Sequence, residues 1–386
     1  MTLPLDRAVA ILADLVAHPS VSRDGNLELV AYLSAALGDC GARTRLATDP
    51  TGTKANLFAS FGPETDGGVL LSAHTDVVPA DEPDWSADPF SLVEREGRLY
   101  GRGACDMKGF IACVLAAAPR FAAAALSEPL HVALTYDEET GCHGARAMVE
   151  ELTRDGPRPR LAIVGEPTEM RIVDAHKGCW EYTTRFTGLE GHGSNPDAGA
   201  NAVAAAARYA AKLLEIGDEL RARGPADGPF DPPCATINLG RIAGGVAHNV
   251  IPADCALDWE MRPIRAEDGR WALEAIDAFA EGALPPAGRA PAPEAPTDRE
   301  QGAELDGLDP RAGNAARDLV AALTGENGTS AVSFGTEAGL YQEMGADVVV
   351  CGPGSIAQAH MADEWIARDQ LERCLAMLDR LADRLA

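Results

Sequence analysis

Lysine is nearly absent: Lys54, Lys108, Lys177 and Lys212 are the four in a chain of 386 residues. Acidic side chains outnumber basic ones, 59 to 33, and the formal net charge is −26. A surface of that sign repels nucleic acid and anionic membranes, so neither is expected as a partner. It would tolerate or mildly attract a cationic small molecule, and it would also simply keep the protein soluble. The nine cysteines contain no CxxC pair, and no secretory leader is recognisable, since residues 1–16 read as the start of an amphipathic helix. Reduced thiols and a cytoplasmic location are therefore expected. No long apolar run exists either. The longest, residues 110–126, is broken by Pro119 and Arg120 and is too short to span a bilayer. No GxGxxG follows a strand-like segment, which argues against a nucleotide-dependent oxidoreductase. No internal repeat is visible. What the chain does have is 46% hydrophobic residues, enough for a sizeable core and, at this length, two domains.

Short apolar runs alternate with helical periodicity. Residues 56–61, 69–73, 130–136, 161–164 and 347–351 read as strands. Residues 5–17, 26–37, 107–125, 143–153, 312–324 and 367–385 read as helices. Such alternation predicts an α/β domain with a mostly parallel central sheet. The middle differs: 180–187 and 254–261 alternate as half-exposed antiparallel strands do. An alanine-rich helix at 200–214 lies between them, with a further strand at 236–242 and an exposed loop at 221–233. This pattern predicts a small α+β domain inserted into the larger one, with a Pro- and Ala-rich return linker at 284–296. The expected boundaries are 1–178 and 291–386 for the larger domain and 179–290 for the insertion.

Polar side chains gather where the strands end. In "LLSAHTDVVP" an apolar strand delivers His74 and Asp76 to its carboxyl end. Asp106 lies in "GRGACDMKG", Asp137, Glu138 and Glu139 follow "LHVALTY", Glu166 follows "LAIVG", and His360 follows "VVVCGPGSIAQA". Ligands of open α/β sheets sit beyond the carboxyl ends of the strands. Each residue has an ordinary explanation: Asp106 as a helix N-cap, the Asp-Glu-Glu run as a first helical turn. Together they would repel one another strongly unless a cation sat among them. Two imidazoles with three or four carboxylates suit Zn²⁺, Co²⁺ or Mn²⁺, with one carboxylate bridging two ions and another left free as a general base. Spacing does not decide which of Glu138 and Glu139 is that base.

The motifs "SAHTDVVP", "GRGACDMKG", "DEETG", "GEPT", "AHKG", "GHGSNP" and "GPGSIAQAH" occur in this order. Together they resemble the dinuclear-zinc amidohydrolases that include acetylornithine deacetylase, succinyl-diaminopimelate desuccinylase, aminoacylases and carboxypeptidase G2, over essentially the whole chain. The resemblance implies a zinc-aminopeptidase-like catalytic domain with an inserted lid that forms a homodimer. It implies two divalent ions, held by His74, Asp106, Glu139, Glu166 and His360, with Asp106 bridging and Asp76 orienting the His74 imidazole. Glu138 would be the general base, and His192 would reach across the dimer to stabilise an oxyanion. Asn249 and Arg262 would hold a substrate carboxylate. The segment "SFGTEAGLY", with Gly335, Thr336 and Glu337, resembles the acetylornithine deacetylase branch. Glu337 would either face the substrate's distal amine or brace the loop. The implied activity is removal of the acyl group from an N-acyl-L-amino acid, N2-acetyl-L-ornithine first. Another N-acyl amino acid hydrolase, a di- or tripeptidase, and a catalytically silent metal-binding scaffold are the alternatives.

Overall fold

A computed structural model describes residues 4–225, 227–283 and 298–386. The expected linker at 284–296 lies outside the described residues. The chain divides into two compact units: residues 1–175, 310–331 and 336–386 form the first, and 176–309 with 332–335 the second.

The first unit is built on an eight-stranded sheet. In chain order its strands are β1 (Arg43–Thr48), β2 (Ala55–Phe61), β3 (Val69–His74), β4 (Leu130–Thr135), β5 (Leu161–Pro167), β6 (Ile172–His176), β7 (Thr329–Val332) and β8 (Asp347–Gly352). Their spatial order is β1-β2-β4-β3-β5-β8-β6-β7. The central four, β4, β3, β5 and β8, run parallel to their neighbours within that set. β2 meets β4 antiparallel, β1 meets β2 antiparallel, and β6 meets β8 antiparallel. The sheet is thus parallel at its heart and mixed at its flanks. β3, β4 and β5 are buried at every position, which is why they read as unbroken apolar runs rather than as alternations.

The reason is the cover on the sheet. Helix Lys108–Ala123 is buried from Lys108 through Ala118, on all sides, despite Pro119 inside it. It shares one core with β3 to β5 and with helices Leu5–Val16 and Arg368–Leu385. Those two outer helices are amphipathic, burying Ala8, Leu12, Leu15 and Val16 in one case and Leu371, Leu375, Leu378 and Leu381 in the other. Gly165 of β5 allows the central helix its close approach: a Cβ there would stand 2.2 Å from the Phe110 ring. No helix among the described residues is long and apolar enough to cross a membrane.

The second unit carries a four-stranded antiparallel sheet in the order Thr236–Gly244, Asp254–Arg262, Cys179–Thr187, Asp298–Leu305. Here the alternation is clean. Trp180, Tyr182 and Phe186 pair with Met261, Trp259 and Cys255 on one buried face. That face packs against helices Ala202–Arg223 and Ala266–Ala283. The first of these helices runs nine residues past the expected end at 214. Ile216 and Leu220 continue its buried stripe, and Gly217 alone is too weak a breaker to stop it.

Candidate active site

The carboxyl ends of β3, β4, β5 and β8, with the segments that follow them, bring six ionisable side chains together in the first unit. His74 is the last residue of β3 and is 1% exposed. Its Nε2 lies 3.0 Å from Asp106 Oδ1 and 3.8 Å from Glu166 Oε1. Asp106 directs its other oxygen at the second imidazole, 3.2 Å from His360 Nε2. That same nitrogen is 3.0 Å from Glu139 Oε2. One carboxylate therefore addresses two histidines, one through each oxygen. Potential ligand atoms of His74, Glu138 and Glu166 lie within 4.8 Å of one another, and so do those of His74, Asp106 and Glu139.

Asp76 behaves differently from the expectation that its carboxylate orients His74. The imidazole Nδ1 is hydrogen-bonded to the Asp76 backbone carbonyl at 2.9 Å, while Asp76 Oδ1 stays 3.7 Å away. The carboxylate is engaged elsewhere. It accepts from Ser22 Oγ at 2.7 Å and from the backbone N–H groups of Glu138 and Glu139 at 3.1 and 3.3 Å. Asp76 so ties the β3 end to the turn after β4, and its carbonyl holds the proton on Nδ1, leaving Nε2 to face the carboxylates. The first acid of that turn, Asp137, points away. Both its oxygens meet Lys54 Nζ, at 2.5 and 2.7 Å. Only Glu138 and Glu139 remain for the centre. Glu138 Oε1 accepts a weak bond from the Cys142 thiol at 3.6 Å.

The electrostatics are those of an overcrowded anionic site. Burial pushes the carboxyls of Glu138, Glu139 and Glu166 above their ordinary range, and neighbouring carboxylates push them further. Burial works to lower His74, but its bond to Asp106 and the charges of Glu166 and Glu138 hold it well above its usual value. Bonds to Asp106 and Glu139 raise His360 to about 10. One atom remains unpaired: Glu166 Oε1 is buried and finds no hydrogen-bond partner among the described residues. A lone carboxylate oxygen buried in this way is costly unless a cation meets it. Borderline divalent ions match a donor set of two imidazoles and several carboxylates, so the residues fit a two-metal centre.

Glu337 lies beneath this centre and does not open onto it. It is 1% exposed. Its Oε1 accepts from Ser72 Oγ at 2.5 Å and its Oε2 from Thr135 Oγ1 at 2.8 Å. Ser72 also meets the Tyr341 hydroxyl at 2.7 Å. The substrate-facing expectation for Glu337 is corrected here: both oxygens are spent on hydroxyls of β3 and β4, the bracing arrangement. Thr336 is likewise buried, its hydroxyl accepting from the Ala338 N–H.

The sequence profile of peptidase family M20/M25/M40 matches residues 70–384. The chain belongs to that family. Its relatives include an acetylornithine deacetylase from Myxococcus xanthus, 39% identical over 98% of this chain and 97% of the relative. Another acetylornithine deacetylase, from Edwardsiella ictaluri, is 35% identical over 99% and 98%. Among solved structures, an M20 family metallo-carboxypeptidase from Sulfolobus solfataricus superposes with a TM-score of 0.77 at 16% identity, covering 98% of both chains. A dinuclear metal-binding M20 peptidase from Bacillus subtilis gives 0.65 at 18%, covering 99% and 98%. As an M20 member the chain is a metal-dependent amidohydrolase.

The remaining expected residues of this M20 chain, His192, Asn249, Arg262 and Gly335, belong to the second unit. His192 is exposed and sits in a two-residue bridge strand opposite Val250. Its Nδ1 is engaged by Ser194, 2.7 Å from the hydroxyl oxygen and 3.2 Å from the backbone N–H that donates to it. Gly193 N–H donates to the Asn249 carbonyl at 2.8 Å, joining the two motif loops. Arg262 ends strand Asp254–Arg262 and grips Glu260 Oε2 with Nε and Nη2, at 3.1 and 2.7 Å. Gly335 abuts Cys179, whose Cβ would be 3.1 Å from an added Cβ.

Sequence reasoning missed Arg102 and Glu364, two buried charged residues at the edge of the centre. Their positions inside "GRGACD" and four residues after His360 were the only available signal.

Proposed function

We propose that this M20 enzyme hydrolyses N-acyl-L-amino acids and that N2-acetyl-L-ornithine, giving L-ornithine and acetate, is its leading substrate. The observation that carries the reading is the Asp106 carboxylate addressing a different imidazole with each oxygen, in a chain 39% identical to an acetylornithine deacetylase along its length. His74, Asp106 and Glu166 would hold one ion, and Asp106, Glu139 and His360 the other. Two divalent ions, zinc first with cobalt or manganese as alternatives, would supply Lewis acidity to the acyl carbonyl and to water. Glu138, raised above the ordinary carboxyl range, is suited to take a proton from the attacking water and return it to the departing amine. The water oxygen would bond to the acyl carbon while the carbonyl π pair moves onto its oxygen, and the return of that pair would break the C–N bond and release the protonated amine. His192, donating from Nε2, is suited to the developing oxyanion. Asn249 and Arg262 would meet the substrate carboxylate, for which Arg262 must exchange its bond to Glu260.

Self-association through the second unit belongs to the same reading. Strand Thr236–Gly244 closes one side of its sheet, so its outer edge is unpaired among the described residues. Leu189, Leu214, Ile242 and Val246 of this unit are exposed, Val246 at 88%. Both features support a homodimer. A sedimentation run returning only monomer at micromolar concentration would remove it. All nine cysteines are free thiols, in keeping with a cytoplasmic enzyme.

The deciding experiment measures ornithine release from N2-acetyl-L-ornithine beside a panel of N-acyl amino acids and dipeptides, before and after chelation and Zn²⁺ or Co²⁺ restoration. Metal-dependent release led by N2-acetylornithine is expected. Release led by another compound discards the substrate and keeps the chemistry. Hydrolysis indifferent to chelation overturns both.

A further inference from the structure

Both proposed ions share Asp106, but their other ligands are anchored differently. His74 and Glu166 stand on β3 and β5, inside the parallel heart of the sheet. Glu139 and His360 stand on loops, and His360 is half exposed with a positive φ of 57°. Something must hold the His360 turn against the Asp106 loop.

Glu364, four residues beyond His360, fills that position. Its carboxylate is 1% exposed. Oε1 accepts the backbone N–H groups of Cys105 and Asp106 at 2.9 and 3.0 Å. Oε2 accepts the Gly103 N–H at 2.9 Å and Arg102 Nη1 at 3.0 Å. Four donors converge on two oxygens, and none of them can accept in return. Arg102, equally buried, extends the brace: Nη1 also reaches the Met361 carbonyl at 3.3 Å, and Nη2 reaches the Pro79 carbonyl at 2.9 Å and Glu82 at 2.7 Å. The Gly101 N–H donates to the Glu364 carbonyl at 2.9 Å. The segments 79–82, 101–106 and 361–364 are thereby one hydrogen-bonded body.

We infer that Glu364, with Arg102, is the positioning residue that sets the distance between the Asp106 carboxylate and the His360 imidazole, and so determines affinity for the second ion while leaving the first nearly untouched. The inference rests on the two-metal reading of the site. A glutamine at 364 matches the shape but turns an NH₂ group toward at least one of the four donors, so the brace loosens without a cavity. Partners outside the ligand set typically change metal affinity by roughly 10- to 100-fold when replaced.

The test is a titration of metal-free protein with Zn²⁺ by calorimetry, and with Co²⁺ by visible absorption, on wild type, Glu364→Gln and Arg102→Lys, beside thermal melts. Wild type must bind two ions per chain; fewer would sink the two-metal reading itself before any variant is considered. In Glu364→Gln the second ion is expected to bind about 10- to 100-fold more weakly and the first within about threefold, with the cobalt spectrum of the first site preserved. Arg102→Lys, which keeps the charge but cannot span its four partners, is expected to weaken the same step, and it decides the matter if Glu364→Gln does not fold. Two-ion binding unchanged in a folded variant, or both ions weakened equally, overturns the inference.

Discussion

Glu337→Ala separates a brace from a substrate contact. The carboxylate accepts one hydrogen bond from Ser72 and one from Thr135, both buried. A hydrogen bond to a charged group contributes about 1.5–3 kcal/mol, so the pair contributes about 3–6 kcal/mol. Burial opposes this, since it holds the Glu337 carboxyl above its ordinary range, and the variant avoids that desolvation. A net loss of about 2–3 kcal/mol follows, and at 2–4 °C per kcal/mol the Tm should fall by about 4–12 °C. The hydroxyls left behind keep partners, Ser72 the Tyr341 hydroxyl at 2.7 Å and Thr135 the Ala73 carbonyl at 3.4 Å, which keeps the loss at the lower end. Meanwhile KM should move less than about threefold, because the Glu337 carboxylate is buried and bonded to hydroxyls of the sheet. The assay is a thermal melt of the metal-loaded enzyme beside steady-state kinetics on the best panel substrate. Were Glu337 instead paired with a substrate ammonium, its removal would cost about 2–5 kcal/mol of binding. A KM raised by about thirtyfold or more, with Tm unchanged or higher, would refute the bracing argument.

Two more outcomes follow. Glu138→Gln should retain both ions by metal analysis and lower kcat by about 10²- to 10⁴-fold; a kcat within tenfold of wild type would remove Glu138 as base. His131 is buried in the sheet between Ser60 and Phe58, and burial lowers it to about 4 from 6.5. An unfolded chain takes up that proton below pH 6.5 while the folded one refuses it until about 4, so stability falls as pH drops through this window. At 1.36 kcal/mol per pH unit the loss is about 3 kcal/mol. His131→Phe should abolish that part of the slope in urea unfolding between pH 7 and 4.5, and an identical slope in wild type and variant would count against it.

The central strands were legible because burial on both faces writes them as solid apolar runs, and the charged residues at their ends stood out for the same reason. Two edge strands were not. β1 reads Arg-Thr-Arg-Leu-Ala-Thr and is largely exposed, and Asp298–Leu305 reads Asp-Arg-Glu-Gln-Gly-Ala-Glu-Leu. An edge strand buries too little to leave a hydrophobic signature. Strand direction is equally silent in composition, so the antiparallel flanks of the sheet could not be foreseen. At the centre, motif order pointed to the six ionisable residues, but partners 258 and more positions apart, such as Arg102 and Glu364, meet only through topology. The local pattern around Glu337 fitted two opposite orientations, and only the placement of Ser72 and Thr135 on adjacent strands decides between them.

The discontinuity of the first unit bears on how the molecule is made. Helix Lys108–Ala123 is covered on one flank by Leu5–Val16 and on another by Arg368–Leu385. A ribosome releases the first cover long before the second. For most of translation this deeply buried helix lacks one of its two helical covers, and His360 and Glu364 do not yet exist beside Asp106. The contiguous segment 176–309 is under no such constraint. A nascent chain stalled short of residue 347 would expose that helix to chaperones and proteases, and the proposed second ion would find its His360 ligand only after synthesis had almost ended.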